Sequence, residues 1–145
     1  MNDKYGVDFF VQLGAMLVMT FIAFVFARVY ERKEEVSKAD AAIEEELNDI
    51  LGNKQEDLGL LNKGVRFIEM AIPAYESIVK SGLYLDLIAN KKYKERYRKI
   101  NSIYFKIIAL NALIKGGKSN NDEVKQKATE IFSLIENFQN QISKK

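Results

Sequence analysis

The most charged stretch of the chain combines basic residues with tyrosines. Between residues 91 and 99, six basic residues surround one acidic residue and two tyrosines. Basic residues interleaved with aromatic rings can bind single-stranded nucleic acid through phosphate contacts and base stacking. However, Tyr93 and Tyr97 continue the apolar spacing of Ile100 and Tyr104, which favours packing inside the protein. We therefore do not expect a nucleic acid partner.

Two other interpretations of the basic stretch stay open. Residues 31–49 hold eight acidic and three basic residues, so the two stretches could face one another within the fold or between subunits. Alternatively, the basic residues contact anionic lipid headgroups, each contributing about 1 kcal/mol near the surface. The residues predicted to make these contacts are Lys91, Lys92, Lys94, Arg96, Arg98 and Lys99.

The absence of cysteine and histidine narrows the chemistry that the chain can perform. It excludes disulfides, thiolate nucleophiles, histidine acid–base catalysis and Cys/His zinc sites. Glu44, Glu45 and Glu46 are consecutive, so on a helix they point about 100° apart and cannot converge on one cation. The GGKS sequence at 116–119 lacks the first glycine of a phosphate-binding loop, since Ala112 stands there. We expect no catalytic residue, metal site, cofactor or small-molecule substrate.

An uncharged stretch of nineteen residues near the amino terminus is the strongest signal in the sequence. It runs from Phe9 to Ala27, and a helix of this length covers about 28 Å, close to the hydrocarbon thickness of a bilayer. We predict one transmembrane helix. Its polar side chains can bond to a neighbouring helix or be tolerated in lipid, with Thr20 bonding to its own backbone, and a face of alanines lets another helix approach closely. The predicted contact residues are Gln12, Ala15, Thr20, Ala23 and Ala27.

The charges that flank the stretch predict its orientation. Four basic residues, Arg28, Arg32, Lys33 and Lys38, follow it, whereas only Lys4 precedes it. Because positive charge stays on the cytoplasmic side, we expect the amino terminus outside and the carboxy-terminal domain in the cytoplasm. Alternatively, the stretch is a signal peptide cleaved after Ala27, which would leave an exported soluble helical domain.

The rest of the chain predicts an all-α fold, since it is rich in strong helix formers and contains a single proline. We divide the whole chain into a tail and membrane helix (1–30), an amphipathic stalk helix (31–51) and a helical bundle (52–145). Apolar residues recur every seven positions along the stalk, which could form a short coiled coil or pack on the bundle. The stalk residues predicted to contact a partner are Val29, Val36, Ile43 and Leu47.

Glycine, proline and apolar spacing predict the elements of the bundle. We expect a stop at Gly52, helix 58–72, a short helix 74–80 closed by Ser81 and Gly82, and an apolar connection over 83–88 that inserts beneath the bundle as an irregular or helical turn. A helix capped by Asn90 and running to Lys115, and a helix over 122–142, complete the set. Short connections favour an up-and-down bundle of about four helices.

The segment Ala74–Gly82, AYESIVKSG, carries a recognisable signature. It resembles the A-[WY]-E-S-x-x-x-S-G signature of small prokaryotic proteins that have one amino-terminal membrane helix and a helical tail. The resemblance implies this layout and a short helix with a Ser-Gly turn, and it assigns no activity.

These features favour a membrane-anchored helical interaction protein, such as an adaptor, a scaffold or an accessory subunit of a membrane complex. Its expected partners are membrane lipid and either another protein or a second copy of the chain. The alternative is a membrane-perturbing or pore-forming oligomer, such as a phage lysis factor, in which the membrane helix would self-assemble.

Overall fold

The computed structural model describes residues 3–64, 69–117 and 121–142. Within these ranges the chain forms six α-helices and no β-strand, which confirms the predicted all-α fold. The helices are α1 (Asp3–Gly52), α2 (Lys54–Asn62), α3 (Pro73–Lys80), α4 (Leu83–Ala89), α5 (Lys94–Gly116) and α6 (Asn121–Ile142).

The chain divides into two compact units, which we call unit 1 (Met1–Ser37) and unit 2 (Lys38–Lys145). The division lies inside the segment 31–51 that the sequence predicts as a stalk. The last part of α1 therefore belongs to unit 2, because Ala39 and Ile43 are core residues there whereas Val29 is exposed.

Unit 1 consists of the first part of α1, and its apolar side chains between residues 11 and 30 are exposed. All side chains from residue 11 to residue 30 are exposed, and Met16 and Phe26 keep 70% and 71% of their surface accessible. Among the residues that the structure describes, this is the one helical segment long and apolar enough to cross a membrane. It coincides with the uncharged stretch that predicts a membrane span.

Unit 2 has a continuous apolar core. Helix α5 packs against α6, α4 packs against α5, and α2 packs against α6. The spacing of three and four residues in α6 predicts one buried face, and the structure confirms it. The buried residues of this face are Val124, Ala128, Ile131, Phe132, Ile135 and Phe138.

The predicted helix 58–72 is confirmed over residues 58–62 and is wrong at residues 63–64 and 69–72. Helix α2 starts earlier and ends at Asn62, and Gly64 adopts a φ of +72°. This left-handed conformation ends helices and favours glycine, so the local stop signal outweighs the apolar spacing. Two positions of the predicted apolar face, Val65 and Ile68, lie outside the described residues.

The side chain of Asn111 on α5 binds the backbone of the segment 69–72. Residues 69–72 have no regular secondary structure, so their backbone groups need partners outside a helix. Asn111 accepts a hydrogen bond from the backbone N–H of Met70 at 2.9 Å and donates one to its carbonyl oxygen at 2.8 Å. The amide of Asn111 therefore replaces the helical bonds that this segment lacks.

The predictions for residues 73–82 are confirmed. Helix α3 starts at Pro73, where the missing N–H and the fixed φ suit a first helical residue. The helix ends at Lys80, and Gly82 follows with a φ of +76°.

The segment 83–88 lies in the helix α4, which agrees with the helical one of the two predicted alternatives. Leu87 inserts into the core and is fully buried, but Leu85 keeps 64% of its surface exposed. The prediction that the apolar residues of this segment insert beneath the bundle is therefore wrong for Leu85. Successive helical side chains point about 100° apart, so they cannot all face the core.

The predicted helix cap at Asn90 is also wrong. Helix α5 begins at Lys94, and Asn90 instead follows the end of α4. Its side-chain oxygen accepts a hydrogen bond from the backbone N–H of Lys92 at 3.0 Å, which stabilises a turn of the kind that asparagine favours. At the other end, Gly117 stops α5 with a φ of +62°, as the glycine pair predicts.

Candidate functional site

Among the residues that the structure describes, Glu46 on α1 stands out because it is buried although it carries a carboxylate. It accepts hydrogen bonds from the backbone N–H groups of Ala74 at 2.6 Å and Tyr75 at 3.3 Å, and from the hydroxyl of Tyr104 at 2.6 Å. The first N–H groups of a helix have no partner within it, and the residue before α3 provides no side-chain cap. Glu46 therefore caps α3 from another helix, and these donors offset the burial of its charge.

Two tyrosines join this carboxylate to α5. The rings of Tyr75 and Tyr104 stack with centroids 4.0 Å apart and planes within 8°, and the Tyr75 hydroxyl donates to Oδ1 of Asn101 at 2.9 Å. Burial raises the pKa of both tyrosines, and the hydrogen bond to Glu46 raises the pKa of Tyr104 further. Both hydroxyls therefore stay protonated near neutral pH and keep donating, which makes this a structural network.

The acidic side of α1 meets the start of α5 at Arg96. Its guanidinium group pairs with Asp40 at 3.4 Å and with Glu44 at 2.9 Å. The Tyr97 hydroxyl donates to Asp40 at 3.1 Å, and burial followed by the negative charge of Asp40 raises the pKa of Tyr97. The guanidinium also lies 5.9 Å from the ring centroid of Phe138. For Arg96, the predicted pairing of the basic and acidic stretches thus occurs within the chain.

The remaining residues of the predicted basic contact surface fall into two groups. Arg98 pairs with Glu95 at 2.9 Å, and Lys99 hydrogen-bonds to the side chain of Gln141. The other three, Lys91, Lys92 and Lys94, are exposed. Among the residues that the structure describes, no carboxylate lies within ion-pairing distance of these three lysines, which we call the basic turn.

The predicted contact face of the stalk divides between core and surface. Ile43 and Leu47 are 0% and 1% exposed, so within this fold they have no surface to offer a partner. Val36 is also buried, whereas Val29 keeps 60% of its surface exposed. Of the four, Val29 is the residue whose side chain is accessible.

The residues predicted to contact another membrane helix are exposed in the structure, and they are Gln12, Ala15, Thr20, Ala23 and Ala27. The hydroxyl of Thr20 donates to the backbone carbonyl of Met16 at 2.8 Å. Because this bond satisfies the hydroxyl inside its own helix, Thr20 needs no polar partner in an apolar environment.

The acidic run 44–46 diverges, as the helical geometry predicts. Glu44 pairs with Arg96, Glu46 binds the backbone at the start of α3, and Glu45 is exposed on the wall of an open cavity. No group of three acidic, histidine or cysteine side chains in the described residues could hold a metal ion.

An open cavity of about 620 Å³ lies beside the end of α1. Its walls include carboxylates from α1 and α2, such as those of Asp49 and Asp57, together with the apolar side chains of Leu60 and Met70. Burial, followed by the neighbouring charge of Glu56, raises the pKa of Asp57. No pattern in the sequence predicts this cavity, because its walls come from segments that are separated along the chain.

Sequence analysis also missed the roles of Glu46 and Asn111. In the sequence, Glu46 is one of three consecutive glutamates, and Asn111 is one polar residue in an apolar helix. A usable signal was the position of Glu46 between Ile43 and Leu47, on the face that the apolar spacing buries.

Comparison of the chain with protein families, with curated proteins and with solved structures found no match.

Proposed function

We propose that this protein is a single-pass, membrane-anchored helical interaction protein that works by contact and not by catalysis. It would serve as an adaptor, a scaffold or an accessory subunit of a membrane complex. The observation that carries the proposal is the exposed apolar surface of α1 over residues 11–27. An apolar surface that extends all around a helix is unfavourable in water and is matched by the hydrocarbon of a bilayer.

In this proposal the amino terminus lies outside and unit 2 lies in the cytoplasm. The support is the charge asymmetry, since Arg28, Arg32 and Lys33 follow the apolar stretch directly. Unit 2 would act as a small bundle of about four helices, in which the end of α1 and the helices α5 and α6 supply most of the fully buried side chains.

A contact role fits the way in which unit 2 uses its polar groups. The buried carboxylate of Glu46 receives three hydrogen bonds from the fold, and Asp40 binds both Arg96 and Tyr97. These groups bind one another and hold helices together. The groups left for a partner are the basic turn and exposed side chains such as Val29.

The anchoring is tested with single cysteines, because the chain has none of its own. Asp3→Cys and the exposed Ser77→Cys would each be expressed in intact cells and treated with a membrane-impermeant maleimide. We expect alkaline carbonate to leave the chain in the membrane, and the maleimide to label the first cysteine alone. A mature chain whose mass begins at Arg28 would instead indicate cleavage and export, and labelling of Ser77→Cys alone would reverse the orientation.

The contact role is tested by purifying the full-length chain in mild detergent and identifying every chain that copurifies. A second protein in fixed ratio would support the role of an accessory subunit. A pure homo-oligomer would indicate self-assembly, and dye leakage from liposomes would then test for a pore. A lone monomer would contradict a protein contact role.

A further inference from the structure

We propose that the basic turn, Lys91, Lys92 and Lys94, is a binding surface for anionic phospholipid headgroups. The inference rests on the proposed membrane anchoring, and it names the lipid class that unit 2 contacts and the residues that contact it. Three features support the proposal: the lysines that the fold leaves without a carboxylate partner, the short chain connection to the apolar helix, and the packing of the neighbouring aromatic rings.

The fold separates the basic stretch into used and unused charges. Arg96 is committed to two carboxylates and Arg98 to Glu95. The three lysines of the basic turn are exposed, and Asp86 and Glu95 are the only acidic residues in the sequence from 83 to 99. The turn therefore carries a local positive charge that no described carboxylate neutralises.

The start of α5 is bound to the part of unit 2 nearest in sequence to the apolar helix. Arg96 and Tyr97 both contact Asp40, and Asp40 lies thirteen positions after Ala27. Thirteen residues span at most about 45 Å even when fully extended. Because the apolar helix and the basic turn belong to one chain, contact of the turn with the bilayer surface is intramolecular for any orientation of the two units. Individually weak headgroup contacts therefore suffice.

The aromatic residues of the stretch favour lipid over nucleic acid. Tyr97 is fully buried, and Tyr93 packs edge-on against it with centroids 6.3 Å apart. The ammonium of Lys92 lies 5.0 Å from the ring centroid of Tyr93. Since single-stranded nucleic acid binding relies on exposed rings for stacking, the accessible chemistry is that of lysine ammonium groups. These suit the phosphates of an anionic, hydrated surface.

The test uses the full chain in lipid nanodiscs with one fluorophore near the turn. Ala89 is exposed at the end of α4, so Ala89→Cys provides a unique labelling site in this cysteine-free chain. Discs would contain phosphatidylcholine alone or mixed with phosphatidylglycerol, each with a lipid that carries a nitroxide quencher on its headgroup. Quenching then reports contact of the turn with the bilayer surface.

Two matched triple variants complete the design. The first replaces Lys91, Lys92 and Lys94 by glutamine. The control replaces Lys63, Lys80 and Lys125, which are exposed on three other parts of unit 2, so both variants lose the same formal charge. We expect stronger quenching in phosphatidylglycerol discs for the unchanged chain and for the control. In the first variant, the ratio of surface-bound to released turn should fall on the order of 100-fold, about 5-fold for each lysine.

Each result decides between the alternatives. Loss of quenching at high salt in the unchanged chain would support an electrostatic contact. Equal quenching in the two kinds of disc, or equal losses in both triple variants, would overturn the assignment to the basic turn. Equal quenching in the two kinds of disc, together with single-stranded RNA binding that the first triple variant loses, would assign the turn to nucleic acid instead. Failure of the chain to remain with the discs would refute the membrane anchoring itself.

Discussion

Two segments of the same helix differ in what surrounds them. Residues 11–27 of α1 expose apolar side chains on all sides, whereas residues 38–52 bury one apolar face and enclose the carboxylate of Glu46. The backbone conformation is the same, so the difference lies in the side chains alone. Within the described residues, the apolar surface of the first segment is uncovered, whereas the second segment packs against its own chain. Under the proposed membrane anchoring, the first segment would lie in lipid and the second in the protein core.

The largest expected effect tests whether the chain itself stabilises the second segment. Glu46→Ala removes the acceptor of three hydrogen bonds and leaves the first N–H groups of α3 and the Tyr104 hydroxyl unsatisfied. We expect a loss of about 3–5 kcal/mol in the free energy of unfolding of unit 2. Urea unfolding of the full chain in mild detergent, followed by tyrosine fluorescence, measures it.

The neighbouring Glu45→Ala serves as the control, since Glu45 is exposed and bonds to none of these donors. Similar losses in both variants would show that Glu46 contributes nothing special as a cap. Membrane association of Glu46→Ala should be unchanged, because its effect is confined to unit 2.

The next effect tests the dependence of the first segment on its surroundings. Val18→Arg places a charge at the centre of the apolar stretch, where it costs about 2.5–3.5 kcal/mol in membrane insertion. We expect the ratio of inserted to non-inserted chain to fall on the order of 100-fold, measured by resistance to alkaline carbonate. Tyr30→Arg, beyond the stretch and exposed to a similar degree, should keep the chain in the membrane. If Val18→Arg inserts as well as the unchanged chain, α1 is not a membrane anchor.

A smaller effect concerns the irregular segment between α2 and α3. Asn111→Ala removes both hydrogen bonds to the backbone of Met70, and we expect it to destabilise unit 2 by about 1–2 kcal/mol. Asn140→Ala changes the same residue type at an exposed position of α6 and should cause no loss. Equal urea midpoints for Asn111→Ala and the unchanged chain would contradict the assigned role.

The smallest effect compares three glycines by backbone conformation. Gly82 has a φ of +76° with open space around an added Cβ, so Gly82→Ala should cost about 1 kcal/mol of unit 2 stability for conformational reasons alone. Gly59→Ala in α2 should raise stability by about 0.5–1 kcal/mol, because alanine is the better helix former. Gly14→Ala, in the first segment, should leave urea unfolding of unit 2 unchanged. A gain in Gly82→Ala would show that the positive φ is not required.

Local signals predicted much of the fold. Some residues act through their own conformational or solvation properties, and these are the uncharged stretch, Pro73, Gly82 and Gly117. The helices that begin or end at these residues could therefore be predicted from the sequence. Two predictions failed because a different local signal prevailed. The apolar spacing of 58–72 extended a helix beyond Asn62, and Asn90 was assigned to the start of α5 although it follows α4.

What the sequence determined by itself is the all-α composition, the position of the long apolar segment and most helix ends, because these depend on side-chain type and on neighbours a few residues away. Only the tertiary structure decided which of three adjacent glutamates is buried and which cations of the basic stretch remain unpaired. Glu46 and Ala74 are 28 positions apart, and Arg96 and Glu44 are 52 positions apart. The partners of Glu46 and Arg96 are distant in the sequence, and no local pattern specifies them.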